Sequence, residues 1–164
     1  MGELAQHNKA HRFRGQGKCG VCARKVHVLI RGEKRLRRLT ERSWGVSMNY
    51  RYTSLRLYIH GWMNYFVVGM KYNDIVEMDH WLRRRIRMCY WKQWRRGRRR
   101  IGNLIQLGSP KYQAILTGLS RKSYWHLAKT LSTNMGLSKA FLEKQGLVSI
   151  RALWIQTHYP AKAR

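Results

Sequence analysis

Acidic side chains are nearly missing from this chain. Asp and Glu number 7 among 164 residues, against 34 Lys and Arg, for a formal net charge of +27. The shortage excludes chemistry as well as setting the charge. A two-metal polymerase or nuclease needs carboxylates that converge on Mg²⁺, whereas Glu3, Glu33, Glu41, Asp74, Glu77, Asp79 and Glu143 cluster only over 74–79. Proline is scarce too, at 2 residues, so long helical patterns run without a breaker. Cysteine is limited to an odd 3, which fits a reducing compartment and gives no disulfide framework. No apolar run approaches the ~20 residues needed to span a bilayer, and the start MGELAQHNKAHRF lacks the apolar core of a signal peptide. Its Met-Gly is not followed by the Ser or Thr of a myristoylation signal. Phosphate-binding GxxxxGK[ST] loops, HExxH and GxSxG are also missing. The expectation is a protein without catalytic residues, cofactor or metal, and without a membrane partner.

Cys19 and Cys22 form a CxxC with His7 and His11 upstream. A structural zinc site needs four ligands, but this order follows none of the usual finger spacings. Two free thiols in a Gly-rich arm are the simpler reading. Cys89 falls on an apolar helix face and reads as core.

What is abundant is positive charge, and its default partner is a polyanion, nucleic acid first. Residues 1–24 carry Gly, His and basic side chains without apolar periodicity, and read as a flexible basic arm; 25–164 read as one helical domain. KVHVLI (25–30) alternates briefly, as a short strand would. A basic helix is expected over 32–42, ending near Gly45, with Ser47 as N-cap of the next. There Met48, Tyr52, Leu55, Ile59, Trp62 and Phe66 hold the helical period. Gly61 within it marks a close backbone approach. The following helix is expected to open at Asp74, with Glu77 completing a capping box, and to run to about Arg96. At ~100° per residue, Ile75, Met78, Leu82, Ile86, Cys89 and Gln93 share one face. His80, Trp81, Arg83, Arg84, Arg85, Arg87, Trp91, Lys92 and Arg95 share the other.

WKQWRRGRRR (91–100) continues that second face past a break at Gly97. Ser109-Pro110 reads as a helix start, followed by a buried stripe of Tyr112, Ile115, Leu116 and Leu119. SRKSYW (120–125) is a second basic-aromatic knot. Leu131, Met135, Leu137, Phe141 and Leu142 mark one more helix, ending at a left-handed Gly146, and a last helix covers 149–157. With no multi-strand pattern, the fold class is all-α.

The segments GVSMNYRYTSLRLYIHGWMNYF, DHWLRRRIRMCYWKQW, SRKSYW and EKQGLVSI, in this order, resemble the maturase-specific region (domain X, or thumb) of bacterial group II intron reverse transcriptases, from about 32 to 159. The resemblance implies a helical bundle of the reverse-transcriptase thumb type. It also implies a partner, group II intron RNA or an RNA-containing duplex, and assistance to intron folding and splicing in a bacterial cytoplasmic ribonucleoprotein. The family's fingers, palm and catalytic aspartate motif have no counterpart among these residues, so no reverse transcription is expected from this polypeptide alone. A separate reverse-transcriptase palm protein is the alternative partner, and a degraded intron reading frame the third reading. Ser123 stands where the family usually has glycine, and no C-terminal endonuclease segment is expected after Tyr159.

The residues expected to contact RNA are Arg83, Arg84, Arg87, Trp91, Lys92, Arg95, Arg96, Arg98, Arg99, Arg100, Arg121 and Lys122. Arginine forks match phosphate oxygens, and an exposed indole can stack on an unpaired base. For Trp91 the competing expectation is packing against another helix. Tyr124 and Trp125 read as core.

Overall fold

The computed structural model describes residues 32–160. The arm 1–24, its CxxC and the strand expected over 25–30 lie outside them. Among the described residues the fold is all-α, as the sequence implies. Its helices are α1 (32–39), α2 (Met48–Phe66), α3 (Tyr72–Gln93), α4 (Gly97–Gln106), α5 (Lys111–Leu119), α6 (Tyr124–Leu127), α7 (Leu131–Gly136), α8 (Lys139–Lys144) and α9 (Ile150–His158), with a 3₁₀ turn Val67–Gly69 after α2.

The long α3 is the mast of the molecule. Its N-terminal part gives Ile75, Met78, Leu82 and Ile86 to one apolar cluster. These pack with Leu36 of α1, with Tyr52, Leu55, Ile59 and Trp62 of α2, with Leu142 of α8, and with Ile150 and Trp154 of α9. Its C-terminal part gives Met88 and Trp91 to a second cluster with Trp94, Leu104, Ala114, Leu127, Ala128 and Leu137. The 3.6-residue period of α2 therefore points inward, as its spacing predicts. Phe66, at the end of that stripe, is exposed, and Met63 is buried in its stead. On α3 the same holds for Gln93, exposed beyond the last buried turn.

Caps explain where several helices begin. Ser47, Ser138 and Ser149 each accept a backbone N–H of the following turn and open α2, α8 and α9. Leaving α8, Gly146 adopts φ +104° while Leu147 N–H reaches Leu142 O at 3.0 Å and Gly146 N–H reaches Glu143 O at 2.9 Å. That pairing needs a left-handed residue at its corner, hence glycine. A capping box at Asp74 and Glu77 does not form. α3 starts two residues earlier, at Tyr72, with Lys71 at the cap and no side-chain cap bond. The third acid of that cluster does the capping elsewhere: Asp79, 2 % exposed, accepts Ile150 N–H at 3.0 Å and so seats the start of α9.

Four further expectations are overturned. Gly61 has open space beyond its Cα, whereas a side chain at Gly32 would strike the Trp62 indole at 2.8 Å, so the close approach is at the start of α1. Ser109 is not an N-cap; its hydroxyl donates to Ser132 O at 2.6 Å and ties the start of α5 to α7. The periodic stripe of α5 faces outward, with Tyr112 74 %, Leu116 56 % and Leu119 65 % exposed. α5 instead meets α4 through small residues: a Cβ at Gly118 would lie 2.5 Å from Ile101 Cγ1. Periodicity fixes which residues share a face and does not say which face is buried. The helix expected across 131–142 is two short ones, α7 and α8, with Leu131 and Met135 exposed and Leu137 and Leu142 buried.

Candidate nucleic-acid interface

The basic face of α3 is a set of ties to the rest of the protein rather than an open surface. Arg84 Nε and Nη2 donate to Trp125 O at 3.1 and 2.8 Å, with the guanidinium 3.8 Å from the Trp125 ring centroid. Arg85 reaches Thr40 Oγ1 at 2.6 Å and Arg37 O at 3.0 Å. Arg87 donates to Leu137 O at 2.9 Å and to Asn134 Oδ1. Arg83 pairs with the buried carboxylate of Asp79. Arg84, Arg85 and Arg87 thus each join α3 to a different segment, the α6 turn, the end of α1, and α7–α8, while Arg83 pairs within α3 with the Asp79 that seats α9. Burial, reinforced by neighbouring Arg83, lowers the Arg87 pKa to about 10, and burial followed by Arg37 lowers that of Arg85. These are cations placed for geometry at an electrostatic cost.

Trp91, expected on the RNA face, is 0 % exposed. Its Nε1 donates to Thr133 Oγ1 at 3.2 Å, and its ring lies edge-on to Trp94 at 5.9 Å. A ring without an open face cannot stack on a base, so packing, the competing expectation, describes it. Arg100 turns inward as well. It donates to Trp94 O at 2.8 Å and to Tyr124 Oη at 3.3 Å, and lies over the Trp91 and Tyr124 rings at 5.6 and 5.4 Å. The helical wheel misplaced the α3 groups for one reason. α3 is covered on more than one side, so an arc opposite its apolar stripe still meets α6 and α7.

Lys92, Arg95, Arg96, Arg98, Arg99, Arg121 and Lys122 remain exposed. Their side chains take no hydrogen-bond or ion-pair partner among the described residues. α3 ends at Gln93, and α4 begins at Gly97, where an added Cβ would sit 3.6 Å from Gly118 O and from Leu119 Cδ2. The start of α4 therefore abuts the end of α5, and Arg121 and Lys122 follow that end directly. The Arg100–Tyr124 bond closes the same corner. Two stretches separated by more than twenty residues in sequence thus contribute to one cationic corner. No acidic residue occurs between Asp79 and Glu143 to offset it.

Arg51 is a residue the sequence reading passed over. It is 2 % exposed and donates to Leu39 O at 2.8 Å, Glu41 O at 3.0 Å and Trp44 O at 3.1 Å, fixing the α1–α2 connection from within. Its position beside Tyr52 in the periodic stripe is the one signal that could have marked it. No group of His, Cys, Asp and Glu suited to a metal ion occurs among the described residues. No helix there is long and apolar enough to cross a membrane.

Residues 30–106 match the family model described as the maturase-specific domain of group II introns. The match takes in α2, α3 and α4 and ends before SRKSYW and EKQGLVSI. Among curated proteins, none matches the chain.

Proposed function

We propose that this chain, whose residues 30–106 match the maturase-specific domain of group II introns, binds structured group II intron RNA and assists its folding and splicing without chemistry of its own. One observation carries the reading: the corner built from Lys92, Arg95, Arg96, Arg98, Arg99, Arg121 and Lys122 is cationic, exposed and free of side-chain partners among the described residues. Such a surface draws phosphate backbone and exchanges condensed counterions for side-chain contacts. The arginines of α3 serve it indirectly, by holding α6 and α7 where the corner needs them. Titrating salt against the affinity for a structured intron RNA tests the reading. With ~5–7 phosphate contacts the log–log slope should fall near −4 to −6; a slope shallower than about −2 would contradict it.

The exposed stripe of α5 favours a second reading, in which the chain is the thumb piece of a split reverse transcriptase and a separate palm protein covers Tyr112, Leu116 and Leu119. Exposed apolar patches of this kind mark protein contacts. Co-purification of a protein with a polymerase aspartate motif, lost on L116S/L119S, would support it; recovery of the chain without such a protein would count against it.

A further inference from the structure

A cleft at the α1–α2 connection has the parts of a site for a single unpaired nucleotide. It is open, holds about 460 Å³, and is lined by Arg35, Arg38, Leu39, Glu41, Ser43 and Trp44. That volume lies in the range of small-ligand sites. The loop that carries three of these residues is not left to find its shape on binding. Buried Arg51 holds the carbonyls of Leu39, Glu41 and Trp44 together, and its guanidinium lies over the Trp44 ring at 5.2 Å. The Tyr50 ring meets Trp44 edge-on at 5.9 Å. Trp44 is thus a braced indole that also lines the cleft, in contrast to the enclosed Trp91.

The polar groups divide by chemistry. Arg35 and Arg38 are exposed, one turn apart on α1, and suit a phosphodiester. Glu41 does not: a carboxylate repels phosphate. It lies in a cleft with two arginines, yet its side chain forms no ion pair among the described residues and accepts only the Ser43 hydroxyl, at 3.1 Å. An ionised carboxylate is an acceptor-only fork. Among the bases, guanine presents two adjacent donors on its Watson–Crick edge, N1–H and the N2 amino group; adenine and the pyrimidines place an acceptor in that pair.

We infer that the cleft binds one unpaired guanosine nucleotide of an RNA strand, with the base on Trp44, its N1–H and N2 amino edge on Glu41, and the phosphate between Arg35 and Arg38. The inference rests on the RNA-binding reading above and adds to it a base preference at a separate position. Stacking accounts for affinity to any base, and the carboxylate for the choice among them.

The full chain can be tested with labelled ten-nucleotide RNAs, oligouridine with one central G or one central A, by fluorescence anisotropy, alongside a structured intron RNA. The G-containing strand should bind about 10-fold more tightly than the A-containing one, the scale of one good bidentate base contact. E41Q should bring that ratio close to 1 while the structured RNA keeps its affinity. W44L should weaken both oligonucleotides, by about 5-fold or more. Should W44L fail to fold, E41Q still decides, because the Glu41 side chain is exposed and its one hydrogen bond among the described residues is from the Ser43 hydroxyl. Equal binding of the two strands by the parent, or a G preference that survives E41Q, overturns the guanosine site and leaves the RNA reading standing. Failure to bind the structured RNA as well overturns both.

Discussion

Trp91→Ala separates a packing tryptophan from a stacking one, and the structure sets the size of the effect. The indole is 0 % exposed, within a cluster that includes Met88, Trp94, Leu104 and Leu137. Removing a buried Trp side chain costs about 3–5 kcal/mol, from lost transfer free energy and from the cavity left behind. Little of that comes from the hydrogen bond. Thr133 Oγ1 loses the Trp91 Nε1 donor but keeps Thr130 Oγ1 at 2.9 Å. Arg100 also loses the ring beneath it, which loosens the α4 start where the cationic side chains stand. Against a total of ~5–15 kcal/mol for an ordinary domain, the loss is roughly a fifth at the least. Urea unfolding followed by far-ultraviolet circular dichroism should show the midpoint falling sharply with the slope unchanged. RNA binding, measured under conditions where the variant is folded, should be close to the parent's. A variant as stable as the parent with RNA affinity lost would refute the placement of Trp91 and return it to the interface.

Three further outcomes follow from the same contacts. Arg84→Gln together with Arg87→Gln should lower the unfolding midpoint, because Trp125 O and Leu137 O lose charge-assisted donors worth roughly 1.5–3 kcal/mol each before screening is allowed for; unchanged stability with weaker RNA binding would make these arginines contact residues after all. Burial raises the Tyr52 phenol, with the hydrogen bond to Tyr90 3.0 Å away adding to it, above the ordinary value of 10. The unfolded chain therefore releases that proton first, and stability present below pH 10 is lost as pH rises beyond it; the lowered Arg87 pulls the other way, so the measure is the parent against Tyr52→Phe. The parent should lose stability relative to the variant in denaturant melts above pH 10, and a constant gap would refute this. L116S/L119S should leave the thermal midpoint within about 0.5 kcal/mol equivalent, as for other exposed positions, and a large drop would place those residues in a core.

The legibility of the sequence was uneven for physical reasons. Hydrophobic spacing reports which residues share a helix face, so the stripes of α2 and α3 could be read, along with the Ser47 cap and the Gly146 corner. It does not report how many faces are covered. On α3 the arginines opposite the stripe meet α6 and α7, and on α5 the apolar stripe meets solvent because Ala114 and Gly118 make the contact with α4. Arginine is the residue type where this ambiguity is greatest, since its long stem can be buried and its fork can satisfy a carbonyl or a phosphate equally well. Of the twelve residues expected to contact RNA, the structure keeps the exposed seven in one corner, uses Arg84, Arg87, Trp91 and Arg100 to hold the elements around it, and pairs Arg83 with Asp79 within α3. Trp44 went unremarked, and Glu41 was weighed only as a metal ligand, because nothing local in ERSWG announces a cleft; Arg51, from the next helix, shapes it.

The central claim, that the exposed corner and not the arginine face of α3 meets RNA, is tested most directly by changing Arg95, Arg96, Arg98 and Arg99 together to Gln and titrating salt against structured intron RNA affinity. None of these side chains has a hydrogen-bond or ion-pair partner among the described residues, and Gln and Arg differ little in helix propensity, so the thermal midpoint should stay or rise slightly as self-repulsion falls. The salt slope should become shallower by about one for each phosphate contact removed, roughly three to four in all. An unchanged slope and affinity in a fully folded variant would contradict the account and put the RNA surface elsewhere on the molecule.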